Sequence, residues 1–102
     1  MRFEWDESKD AANRQKHGIG LDHVRRFDFV TALRIRDERY DYGEERWRSI
    51  GYIGDRLHVI VYTERADAIR LISARKANRR ERAFYERKRE EAQAARGLRR
   101  ES

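Results

Sequence analysis

A chain of 102 residues is a single domain, long enough to bury about two-thirds of its unfolded surface. With 43% charged against 38% hydrophobic residues its core is compact, and eleven aromatics exclude a wholly disordered chain. No cysteine is present, which excludes disulfides and thiolate chemistry, and no apolar run approaches the ~20 residues of a membrane span. The N-terminus carries no apolar signal region, so a cytoplasmic location is expected. The net charge of +6 is unevenly spread: residues 1–64 hold 12 Lys and Arg against 13 Asp and Glu, and residues 65–102 hold 13 against 6. The positive excess therefore belongs to the C-terminal third, as a polyanion-binding face requires, although a solvated charged helix accounts for part of it.

Phe3 and Trp5 alternate with Glu4, a short strand signal. Asp6 is a good N-cap for a polar helix over 7–17, which Gly18 ends. Leu21, Val24 and Phe27 recur at helical spacing and predict a second short helix. Leu33 and Ile35 alternate with Arg34 and Arg36, a strand near 31–37 that gives way to a polar stretch punctuated by Gly43. A strand over 46–53, a Gly54-Asp55 turn and a strand over 57–63 make a hairpin, and a turn at 65–67 leads to a strand over 68–74. Asn78 and Glu81 have capping-box spacing and start a last helix past Ala83, Phe84 and Tyr85, thinning before Gly97. The expected fold is α+β, with a short N-terminal strand, two helices, an antiparallel meander and a C-terminal helix. The helices are expected to cover one sheet face in two layers. Residues 1–86 form the domain, and 87–102 a charged helical extension or disordered tail.

Arginine keeps its proton at working pH and its planar fork matches phosphate oxygens. Arg46, Arg70, Arg75, Arg79 and Arg80 are candidates for a phosphate clamp, the last two at a helix N-terminus where backbone N–H groups also attract anions. Surface pairing with Glu64, Asp67 or Glu81 is the plainer use of the same residues. RNA cleavage needs a proton taken from the 2′-hydroxyl, one given to the 5′-oxygen, and neutralisation of phosphate charge. His17, at a helix end, and Glu64 are the candidate proton carriers. His17 also suits the helix dipole as a simple C-terminal cation. Tyr62 shares a strand face with Glu64 and is either a stacking platform or a half-buried strand tyrosine. His23 and His58 are weaker candidates, no histidine pair has metal-ligand spacing, and no Gly-rich phosphate loop is present; no metal and no cofactor are expected.

Several landmarks occur together and in order: Phe3-Glu4-Trp5-Asp6, Lys16-His17-Gly18, Gly43-Glu44-Glu45-Arg46, Val61-Tyr62-Thr63-Glu64-Arg65, Arg70 to Ala77, and Arg80-Glu81-Arg82 with Tyr85. Over residues 3–86 the chain resembles the BrnT toxins of bacterial type II toxin–antitoxin systems. The resemblance implies a RelE-like fold and a metal-independent endoribonuclease that inhibits translation. It also implies neutralisation by a BrnA-like ribbon-helix-helix antitoxin in a heterotetramer, with operator DNA reached only through the antitoxin. Carried onto this chain, the catalytic positions are His17, Arg46, Glu64, Arg70 and Arg75. RNA-binding positions are Lys16, Tyr62, Arg65, Lys76, Arg79, Arg80 and Tyr85. Gly20 departs from the Ser or Thr expected at the second helix's N-cap. The competing reading is a basic module that holds RNA or an antitoxin without cutting, and acts as an operon co-repressor.

Overall fold

The computed structural model describes residues 2–101, with side chains described as far as Gly97. Its elements are β1 (Arg2–Trp5), α1 (Glu7–His17), a 3₁₀ helix (Leu21–Arg26), β2 (Leu33–Arg36), β3 (Trp47–Ile53), β4 (Arg56–Arg65), β5 (Ala68–Lys76) and α2 (Arg79–Glu101). The strands form one sheet in the order β1-β5-β4-β3-β2. β2 to β5 make the expected antiparallel meander, and β1 joins β5 in parallel, so the five-stranded sheet is mixed.

The local signals act as their chemistry dictates. Asp6 accepts from the Ser8 N–H at 2.9 Å, and Gly18 closes α1 in the left-handed region at φ 76°. Asn78 and Glu81 exchange reciprocal backbone-to-side-chain bonds, both 2.9 Å, at the start of α2. The segment 21–26 is 3₁₀ rather than α-helical: Gly20 offers no side-chain cap, and the Phe27 N–H bonds the Val24 carbonyl.

Alternation along β4 splits the core in two. Ile60 and Tyr62 face one side, where they meet Leu21, Val24, Phe27, Ile69, Leu71 and Ala74. Val59 faces the other, with Ile50, Leu57, Ala77 and Tyr85. The helices therefore do not gather on one face as expected. The 3₁₀ helix covers the first face, and the base of α2 covers part of the second. The reason is the apolar content of both faces of β4, buried over 57–63 and too apolar to leave one side to solvent. Helix α2 continues without a break through the charged turns beyond Tyr85, whose residues are mostly exposed.

α1 sits at the free edge of β5. β1 pairs only with residues 68–71, which leaves 72–76 without a strand neighbour on that side. Asn13, buried at 4% exposure, takes that place: it accepts from the Ala74 N–H at 3.0 Å and donates to the Ala74 carbonyl at 2.8 Å. The C-terminal end of α1 is thereby fixed beside the second sheet face.

Candidate nucleic-acid interface

The base of α2 leaves part of the second sheet face open. Val59 and Val61 of β4 with Ser73 and Arg75 of β5 form the floor of a cavity of about 330 Å³ there. A register shift at Val61/Tyr62 leaves Ile72 without a partner and turns it into the same cavity. Lys9, Lys16 and His17 line one wall from α1, Arg48 comes from β3, and Arg39 comes from the β2–β3 loop. Among the described residues no carboxylate lines the cavity. Six basic side chains converge with no counter-charge on its walls, an arrangement suited to a phosphodiester chain.

Two of the arginines are held from behind. Arg75 donates both ends of its fork to Glu81 at 2.7 and 2.8 Å, and Glu81 is itself fixed by the capping box. Arg39 is gripped at 2.8 and 2.9 Å by Asp37, whose side chain is fully buried and also accepts from the Arg39 N–H at 3.3 Å and the Tyr42 hydroxyl at 3.2 Å. The Arg39 guanidinium holds the Asp37 carboxyl down to about 2. Such forks keep a guanidinium in place while its outer edge stays free for an anion. Arg48 is different, because its Nε is buried and has no partner among the described residues.

His17 is the titratable group of this cavity nearest neutrality. Burial first, then the Lys16 and Arg75 charges, push its imidazole below the usual value. The shift favours the neutral ring, the form able to accept a proton. Among the described residues no three His, Asp or Glu side chains gather as metal ligands.

Comparison with known proteins gives this geometry a family. A model described as the ribonuclease toxin BrnT of type II toxin–antitoxin systems matches residues 5–81. The chain belongs to the BrnT family. A crystal structure of the ribonuclease toxin BrnT of Brucella abortus superposes with a TM-score of 0.63 at 24% identity. That match covers 78% of this chain and 99% of the other, a likeness of fold. No curated protein matches. As a type II toxin this BrnT chain has RNA as its target and an antitoxin as its partner.

Of the positions expected from its sequence, His17, Lys16 and Arg75 meet in the cavity, and the others do not line it. Arg46 stacks on Tyr42, 3.8 Å from the ring centre, in a separate loop pocket. Glu64 lies on the opposite face, paired with Arg34, which itself stacks on Trp47 at 3.7 Å. Arg70 pairs with Glu4 at 3.9 Å on the β1 side, and Arg65 with Glu44 at 3.5 Å. Lys76 alternates with Arg75 and so faces away from the cavity. Arg79 and Arg80 are exposed in the first turn of α2, and Arg80 lines a neighbouring groove.

Tyr62, expected as a possible stacking platform, and Tyr85, expected as an RNA-binding position, are both buried. Tyr62 is 3% exposed and bonds Ser49 at 2.8 Å, and Tyr85 is 4% exposed and donates to the Thr31 carbonyl at 3.0 Å. Each is a core residue whose hydroxyl needs an internal partner, which leaves no ring face for a base. Sequence reasoning missed Lys9, Arg39 and Arg48. Arg48 had a signal, since it shares a strand face with Ile50 and Tyr52; Arg39 sits in a loop with no periodicity to place it.

Proposed function

We propose that this BrnT-family protein is a metal-independent endoribonuclease of the cytoplasm that inhibits translation and is neutralised by a BrnA-like antitoxin. The observation that carries the reading is one imidazole, its pKa lowered by burial and neighbouring cations, among five permanent cations on an open sheet face. Arg39, Arg48 and Arg75 hold the phosphate oxygens and take up the charge that builds on them. His17 accepts the 2′-hydroxyl proton as the 2′-oxygen bonds phosphorus and the bond to the 5′-oxygen breaks. The leaving 5′-oxygen takes a proton from an ammonium of Lys9 or Lys16. The products are a 2′,3′-cyclic phosphate and a 5′-hydroxyl. Arg70 sits on the same sheet face, outside the groove, as a further backbone contact.

The test is incubation of the pure protein with end-labelled RNA in EDTA. Fragments ending in 2′,3′-cyclic phosphate are expected. Retention of the RNA with no fragments would replace this reading with a non-cleaving module, whose affinity falls steeply with salt.

A further inference from the structure

A second groove opens beside the first, between α2 and the strands β2, β3 and β4. Its volume, about 460 Å³, exceeds that of the basic cavity. Its apolar walls are Ile35, Ile50 and Val59 from the sheet with Ala83 and Phe84 from the helix. Arg48, Arg80 and Arg87 complete its lining, and the Arg87 guanidinium lies 5.5 Å from the Phe84 ring centre. Among the described residues Glu81 is the one carboxylate on its walls, and Arg75 already holds it. Its arginines sit around a floor of aliphatic side chains and Phe84, whereas the first cavity sets cations among Ser73 and Asn13, so the groove suits an apolar partner better than a continuation of the RNA backbone. An apolar floor with a basic rim instead fits a polypeptide helix that has an apolar stripe between carboxylates.

We propose that this groove receives an acid-flanked amphipathic helix of the antitoxin, and that the docked helix shuts the RNA site through their common wall. The two cavities share Arg48 and Val59. The buried Arg48 Nε has no partner among the described residues, and a carboxylate of the helix pairs with the Arg48 guanidinium where it lines the groove. Arg48 then ceases to be available to phosphate. Neutralisation thus works by taking an arginine from the nucleic-acid site rather than by plugging it. The location of the docking groove stands on its own lining; the consequence for RNA rests on the ribonuclease reading.

The test uses the full chain and the antitoxin polypeptide encoded beside its gene. Ala83→Trp fills the groove from an exposed helix position, and Arg87→Glu reverses the charge of the rim. Each variant is expected to bind the antitoxin about tenfold more weakly or worse, with RNA cleavage by the free protein unchanged. Labelled RNA and antitoxin are expected to compete for the wild type. Wild-type antitoxin affinity in both variants overturns the proposal, with Arg87→Glu alone deciding if Ala83→Trp misfolds. A concentration-dependent dimer of the free toxin that Ala83→Trp abolishes also overturns it, and assigns the groove to a second copy. If the wild type cuts no RNA, the ribonuclease reading falls while the antitoxin titration still decides the docking site.

Discussion

Asn13 treats Ala74 as a neighbouring strand would, accepting from its N–H and donating to its carbonyl, with a further bond to the Ile19 carbonyl at 2.9 Å. One side chain thus completes the free edge of β5 and fixes the end of α1 that carries Lys16 and His17. Asn13→Ala leaves three backbone groups without partners where solvent barely reaches. At roughly 1 kcal/mol or more for each, a loss of about 3 kcal/mol is expected in urea titration. Asn13→Asp replaces the donor with a third acceptor and is expected to cost at least as much. A change below about 1 kcal/mol for either, within the range of an ordinary surface substitution, would show that the edge is closed by something else.

Asp37 and Arg39 make the acid stability of the protein predictable in sign. The folded carboxyl titrates at about 2, below its ordinary 3.8. A depressed carboxyl contributes stability that is complete above the unfolded pKa and lost as pH falls through the folded one. The window lies between about pH 4 and pH 2, and the contribution is on the order of 2 kcal/mol, reduced by solvent at the half-exposed Arg39. Asp37→Asn is expected to flatten the stability profile over that window. It also frees Arg39 from its fork, so RNA affinity at neutral pH is expected to fall; an unchanged affinity would remove Arg39 from the binding surface.

Most of the fold was legible because its signals are local. Asp6, Gly18 and the Asn78/Glu81 box announce helix ends, and alternation announces β2 to β5. The division of the helices between two faces was not, since it depends on β4 being buried on both sides. The site was legible only in part. Charge type pointed to arginines, but facing decides which of them meet: Arg75 turns into the cavity while Lys76 turns away, and Glu64 ends up behind the sheet with Arg34. Arg46 lies one residue before β3, outside the alternation that places Arg48, and its stack on Tyr42 is set by the loop. Buried hydroxyl partners for Tyr62 and Tyr85 likewise come from residues distant in sequence.

Salt dependence separates Arg75 from Arg46. A cation that neutralises one phosphate adds close to one to the slope of log affinity against log salt. Arg75→Ala is expected to lower that slope by about one and to weaken binding on all RNA sequences alike. The same change strands Glu81, so a matched Arg75→Lys variant keeps the charge while losing the fork. Arg46→Ala removes a group that faces the loop pocket and is expected to leave the slope unchanged. Equal effects for the two arginines would mean that RNA crosses the β2–β3 loop as well as the basic cavity.

His17 gives the reaction its pH dependence. The imidazole acts as a base only when neutral, so the rate rises with pH through its pKa and levels above it. Burial and the charges of Lys16 and Arg75 place that pKa below 6.5 in the free protein, which fixes the acid limb of kcat/KM. A bound phosphate carries the opposite charge and favours the imidazolium, so the limb of kcat is expected at higher pH than that of kcat/KM. His17→Asn is expected to lower kcat by roughly 10²–10⁴-fold with RNA affinity retained. A mere packing role would instead show as lost stability with a normal pH profile. If His17→Asn cuts RNA at the wild-type rate, proton removal belongs to another group, and the cations of the cavity serve binding alone.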